Sequence, residues 1–354
     1  MPHHLRFIDP CAPLPYADVT DMPGFGGDET TLVHIATALA SDMEVTVEQA
    51  ARRVCDTHAG VRYLPMDLTW QAGHLIVVVN SWKVALVCRR TNPQARICIW
   101  QHVVPGRHNR VLGRALAQAG IEIITVSQTL AVTVSSFLDG QVRVTAIPNA
   151  VADDLHPDAT PRDRDLLLFA GARQNGLDQV AAAFTALRAK IPGLRLEVAG
   201  PACATAAVPD GTTPLGRLTH DLVLAKMRQA SCLFHPQTQF AEPFSLVIAG
   251  ANAVGCPALV QRGLGANDEV TSTAEQCIDA ANLGEILDRI SQWRCTSPAI
   301  TLLPQFRKSA ILARWHRFMQ RDRQDAALSD ALFACGDWPL HCGTARSTGL
   351  SLPF

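Results

Sequence analysis

Short runs rich in β-branched residues alternate with amphipathic helical segments along most of this chain, in two series separated by a polar, proline-bearing stretch. This alternation is what parallel, doubly wound sheets require, because each parallel strand must be followed by a crossover that returns over the sheet. In the first series, strands are predicted at 4–9, 43–48, 75–80, 96–102, 121–127 and 142–147, with helices at 30–39 and 128–138. The stretch 148–164 holds Asp153, Asp154, Pro157, Asp158, Pro161, Arg162 and Asp163. Its prolines can continue neither a helix nor a central strand, so a domain boundary is placed there. The alternation then resumes with strands at 166–170, 194–199, 232–235 and 257–261 and helices at 177–190, 219–229 and 246–254. The expected organisation is a first domain over 1–150 and a second over 151–310. Helices at 306–322 and 326–334 and a tail follow, and the segment 311–354 is expected to pack back on the first domain.

With 354 residues, 48% hydrophobic and 18% charged, the chain has apolar material for two cores. Its net charge of −1 provides no global field for nucleic acid or an anionic membrane, so recognition of a charged ligand must be local. The eleven cysteines include no CxxC pair and lie mostly within apolar runs, which reads as reduced core thiols. The first residues lack the basic-then-apolar order of a signal peptide, and no apolar run is long enough to span a bilayer. A cytoplasmic protein is expected, with peripheral membrane contact left open.

Four segments can carry chemistry. Gly24-Phe25-Gly26-Gly27 precedes a helix and offers bare backbone N–H groups to an anion, although a plain glycine turn reads the same way. His102 ends a predicted strand, where the carboxyl edge of a parallel sheet opens into a ligand crevice; a structural histidine is the alternative. The basic loop Arg107-His108-Asn109-Arg110 lies on the same edge and fits either an anionic acceptor or solvent. In the second domain, Arg173 in Gly171-Ala172-Arg173-Gln174-Asn175-Gly176 stands between a strand and a helix, where a guanidinium can meet a phosphate. The fourth is Glu242-Pro243-Phe244-Ser245-Leu246, a carboxylate at a helix start with unsatisfied N–H donors. Ordinary capping by Glu242 is its alternative.

Taken in order, these segments resemble glycosyltransferase family four. Ser127 after Ile123-Ile124-Thr125-Val126 is similar to the family's "hVS" strand end, and Ile147-Pro148-Asn149-Ala150-Val151 to its "IPNGV" link. Residues 169–178 resemble "hxGRhxxxKGhD", Leu196-Glu197-Val198-Ala199-Gly200 resembles "LxhhG", and 236–260 resembles "PSxxEPFGLVxxEAMAxGxPVV". The resemblance implies the GT-B fold, two Rossmann-like domains facing across a cleft, and sugar transfer from a nucleotide-diphosphate-sugar to an acceptor hydroxyl with retention. The acceptor would be a sugar, a lipid-linked group or a polysaccharide, with no nucleic-acid partner. It implies that Gly26 and Gly27 donate to the diphosphate and that His102 contacts the donor sugar. Glu242 would hold sugar hydroxyls, while the amides of Phe244, Ser245 and Leu246 meet the phosphates. No metal or other cofactor is expected, because helix N-termini and an arginine can stabilise a leaving diphosphate.

Two positions depart from the family pattern. Gly250 stands where a second glutamate grips the ribose, removing two charge-assisted hydrogen bonds on the order of 1.5–3 kcal/mol each. Asn175 stands where a lysine precedes the glycine, and Arg173 offers a partial replacement. An active transferase is the expectation, and a non-catalytic GT-B scaffold or partner subunit is the alternative. A GT-B sugar-nucleotide epimerase would need further acid/base carboxylates, and the sequence marks none.

Overall fold

The computed structural model describes residues 4–18, 27–69, 75–201 and 209–320. Among them, the first series builds strands β1 (His4–Asp9), β2 (Glu44–Gln49), β3 (Asp56–His58), β4 (Val61–Pro65), β5 (Leu75–Val79), β6 (Arg96–Gln101), β7 (Glu122–Thr125) and β8 (Val144–Ala146). They form one sheet in the order β3-β4-β2-β1-β5-β6-β7-β8. Every pairing is parallel except β3 with β4. Helices α1 (Gly27–Leu39), α2 (Trp82–Thr91), α3 (Gly113–Gln118) and α4 (Gln128–Phe137) cover its faces. Strand order reverses between β1 and β5, so the crevice of this half lies beyond Asp9 and Val79.

The second series forms β9 (Asp163–Ala170), β10 (Arg195–Ala199), β11 (Thr212–Gly216), β12 (Ala230–His235), β13 (Ala258–Gln261) and β14 (Cys277–Ile278), with helices α5 (Leu177–Lys190), α6 (His220–Gln229), α7 (Leu246–Ala253), α8 (Asn267–Val270), α9 (Leu283–Cys295) and α10 (Lys308–Gln320). The sheet order is β11-β10-β9-β12-β13-β14, all parallel, with the reversal between β9 and β12. Its crevice therefore opens beyond Ala170 and His235. The chain crosses between the halves twice, and the two crossings pair at one point. Val151 N–H donates to Phe306 O at 2.9 Å, and Lys308 N–H donates to Val151 O at 2.8 Å. From there α10 lays Trp315 on the first sheet, 6.0 Å from the Phe7 ring and 4.9 Å from that of Trp100.

Several elements differ from the sequence-based expectation. The hairpin β3-β4 was not anticipated: its strands are short and part-exposed, and its turn, Ala59 at φ 48° and Gly60 at φ 82°, is the only strong signal. Helices α2 and α9, each N-capped by a side chain, Ser81 and Asn282, were likewise unanticipated. Strand β9 begins three residues early, where Arg195 pairs with Asp163. The helix expected from 306 starts at Lys308, because Pro304–Phe306 closes a separate tight turn. Residues beyond 320, including the helix expected at 326–334, lie outside the described residues.

Parallel strands buried on both faces read as apolar runs, and LIVVV in β5 is of that kind. Strand β1 carries a charge instead: Arg6 is fully buried and forks onto Glu48 of β2, donating through Nε to Oε1 and through Nη2 to Oε2 at 2.8 Å. The backbone N–H of Asp67 donates to the same carboxylate at 3.0 Å. Removing one partner strands the other in a dry core, whereas removing both does not. Arg6→Met is expected to cost about 3–5 kcal/mol in urea unfolding. Adding Glu48→Leu should recover part of that loss; a double variant no more stable than the single one would contradict the pairing.

Candidate functional site

In the first half, the site is assembled at the strand-order reversal. Asn80, just past β5, sits at φ 53°, a conformation an asparagine tolerates better than most residues. Its amide ties two segments together, the Nδ2 donating to Asp28 Oδ2 at 2.9 Å and the Oδ1 accepting from the His102 backbone N–H at 2.7 Å. The His102 ring is buried against Trp100, with centroids 4.6 Å apart. Its Nδ1 lies 3.4 Å from Asp28 Oδ1, at ion-pair range, and its buried Nε2 has no partner among the described residues. A buried ring nitrogen without a partner is costly unless a ligand completes it. Burial acts to raise the Asp28 pKa, but the adjacent His102 and the Asn80 amide outweigh it and hold the carboxyl below its ordinary value.

Gly27 opens α1, and Gly26 lies outside the described residues. A Cβ on Gly27 would stand 3.3 Å from Leu246 Cδ1, so the starts of α1 and α7 abut across the cleft. The two starts differ electrostatically. The first turn of α1 already carries Asp28 and Glu29, whereas the first turn of α7 carries no acid. The α7 N-terminus is therefore the better seat for an anion.

In the second half, Ser245 caps α7, its Oγ accepting from Ile248 N–H at 3.3 Å. The N–H groups of Leu246 and Val247 precede the first intrahelical donor, Ala249 N–H, which bonds Ser245 O, and so remain for a ligand. Phe244 packs edge-on to Phe306 at 5.3 Å, which anchors this turn to the returning crossover. Glu242 is half-buried and meets Asn175, whose Nδ2 stands 3.4 Å from its Oε1. The backbone of Glu242 is held as well: Ala266 N–H donates to its carbonyl at 3.0 Å, and a Cβ on Gly265, at φ +55°, would collide with that carbonyl. Gly176, at φ +96°, is equally constrained, since a Cβ there would lie 2.5 Å from that of Gln237.

Arg173 does not join Asn175 and Glu242. Its guanidinium pairs with Asp178 in the first turn of α5 at 3.1 Å, with both side chains largely exposed. Gly250 lies mid-helix in α7, where a Cβ would meet Leu224 Cδ2 at 3.6 Å, an ordinary contact. A glutamate therefore has room at its base. Asn252, in the same Gly250-Ala251-Asn252-Ala253 stretch, instead makes a reciprocal amide pair with buried Gln276, both bonds at 3.0 Å.

Three participants were missed from sequence: Asp28, Asn80 and Glu269. Glu269 reaches from α8 to the start of α4 in the other half, accepting from Gln128 N–H at 2.8 Å, Thr129 N–H at 2.8 Å and Thr129 Oγ at 2.9 Å. These are charge-assisted bonds onto a helix N-terminus, and they tie the halves beside the cleft. The only local hint was the glycine pair preceding it.

Two doubly wound α/β sheets whose carboxyl edges face one another across a cleft constitute the GT-B fold. The chain is similar to sucrose-phosphate synthase from Thermosynechococcus elongatus, with a TM-score of 0.70 and 15% identity over 92% of this chain and 100% of that one. It is also similar to the lipopolysaccharide outer core galactosyltransferase WaaB in its apo form, with a TM-score of 0.63 and 12% identity over 89% and 99%. A third similar structure is Anabaena HepE in complex with UDP-glucose, with a TM-score of 0.58 and 14% identity over 93% and 98%. No family model matches the chain, and no curated protein matches it in sequence.

His235 closes the floor of the second crevice, edge-on to Phe169 at 5.2 Å, with Nε2 2.9 Å from Asn175 O. A carbonyl only accepts, so Nε2 carries the proton. Burial lowers the His235 pKa, and the Glu242 charge and the Asn175 bond oppose this without reversing it. The stabilisation this gives is complete above the unfolded value, about 6.5, and is lost as pH falls through the folded one, because the unfolded chain takes the proton first. Urea midpoints at pH 7.5 and 5.5 should show a smaller drop for His235→Gln than for the unmodified protein; equal drops would contradict this.

Proposed function

We propose that this protein is a glycosyltransferase that moves a sugar from a nucleotide-diphosphate-sugar to an acceptor hydroxyl. The observation that carries the reading is the meeting of the α7 and α1 starts across the cleft. The Leu246 and Val247 N–H groups lie there, with the Glu242–Asn175 pair on one side and on the other His102, whose Nε2 has no partner among the described residues. The α7 amides take the diphosphate and stabilise the charge that develops as the sugar–phosphate bond breaks. Glu242 accepts from sugar hydroxyls, and its backbone contacts with Gly265 and Ala266 fix where it can reach. His102, backed by Asp28, presents its ring from the acceptor half. Closing the halves excludes water, so that the acceptor hydroxyl and not solvent attacks the anomeric carbon.

In this reading helix dipoles do the work of a metal, so nucleotide binding should survive a chelator. Retention of configuration follows from the resemblance to family four, and the anomeric coupling of the product would test it. Similar structures include one in complex with UDP-glucose, which makes UDP-sugars the first donors to try. Arg173, turned onto Asp178, can serve the phosphates only by leaving that exposed pair, which is worth at most about 1 kcal/mol. The backbone amides therefore carry most of the diphosphate recognition.

Calorimetric titration with UDP, GDP and ADP is expected to show micromolar binding of one of them. Gly250→Glu should tighten it about tenfold or more by restoring a charged acceptor for the ribose. Binding seen only in the Gly250→Glu variant would mean that the native donor site is not functional and that the protein is a scaffold. With the donor in hand, Glu242→Ala and His102→Ala should each lower transfer by at least a hundredfold without unfolding the chain. Full activity in both variants would reject the site.

A further inference from the structure

The charge of the chain is unevenly distributed. Between Asp67 and Asp139 the sequence holds seven basic residues, Lys83, Arg89, Arg90, Arg96, Arg107, Arg110 and Arg114, against the single acid Glu122. The overall charge is −1, so this part of the first half is a local cationic block. Arg96 is spent on Glu122, at 2.7 Å. Lys83, Arg90, Arg107 and Arg114 are exposed and have no ion-pair partner among the described residues, and Arg110 has only a 3.9 Å approach to exposed Asp139.

The folding of this block places those cations together. Helix α2 packs against α3 and against the tight turn Arg107–Leu112. Lys83, Val87 and Arg90 recur at four- and three-residue spacing along the outer side of α2. The segment leaving β6 then adds Val103, Val104 and Val111 at 46%, 52% and 80% exposure, interleaved with the arginines. Exposed valines gain nothing from water or from a hydrophilic polyanion, whereas an interface of anionic headgroups over acyl chains satisfies both kinds of side chain at once. No helix among the described residues is long and apolar enough to cross a membrane, so attachment of this kind is peripheral.

We propose that this face docks the protein on an anionic lipid bilayer. The face begins at Val103, immediately after His102, so a bilayer held there is adjacent to the crevice of the first half, and an acceptor carried in that bilayer reaches the cleft without leaving it. The proposal goes beyond the transfer reading and rests on separate residues; nucleotide titration tests one and lipid binding the other, so either can fail alone.

Flotation of the full chain with vesicles of phosphatidylcholine alone, or of equal parts phosphatidylcholine and phosphatidylglycerol, tests it. The protein should float with the anionic vesicles and not the neutral ones, and raised salt should weaken the association. The triple variant Arg107→Gln/Arg110→Gln/Arg114→Gln should lose roughly a hundredfold in partitioning, about fivefold per arginine. Val111→Asp, a single exposed change, should weaken vesicle binding while leaving the thermal melt unchanged. Failure to float with anionic vesicles, or flotation insensitive to both variants, would overturn the proposal. So would binding to soluble heparin without vesicle binding, which would assign the face to a hydrophilic polyanion.

Discussion

A parallel strand pair cannot be closed by a tight turn, and the architecture of this protein follows from that constraint. Each strand must hand its chain to a crossover, the crossovers cover both faces, and the strands between them become apolar runs such as β5. Where the crossovers change direction, neighbouring loops separate and a crevice opens at the carboxyl ends of the strands. The chain does this twice, at β1/β5 and at β9/β12. Asp28 and Asn80 follow the strands of the first reversal and Asn175 and Glu242 those of the second, with His102 one strand farther along.

Two crevices make one site only if the halves are held face to face. Paired crossovers at Val151 and Phe306 form one edge of that junction, and Glu269 on the α4 start forms another. The turn leading into α8, which carries Glu269, also packs its Gly265 and Ala266 against the Glu242 backbone. The contact joining the halves and the carboxylate proposed to hold the donor are thus neighbours on one short segment. A change in the angle between the halves therefore bears directly on Glu242, which is a physical route by which closure and donor recognition can be coupled.

Much of the fold was legible because it depends on periodicity, which any parallel sheet imposes on its sequence. The β5, β6 and β7 segments were located from apolar runs, and α4 and α7 from the helical stretches that alternate with such runs. The β3-β4 hairpin was not, since its strands are short and half-solvated and thus lack an apolar signature. Within the site, glycines and a helix start could be read locally, whereas partnerships could not. Asn80 meets Asp28 across 52 residues, and Glu269 meets Thr129 across 140, contacts that only the folded sheets create. Arg173 shows the converse: its position suggested a phosphate, but a carboxylate five residues on takes its guanidinium.

The transfer reading requires a nucleotide diphosphate to sit at the α7 start, facing α1 across the cleft. Hydrogen–deuterium exchange with and without the tightest-binding nucleotide tests this directly. Slowed exchange is expected at the amides of Leu246 and Val247, with a smaller effect at the start of α1. Unchanged exchange at α7, with protection appearing elsewhere on the chain, would contradict it.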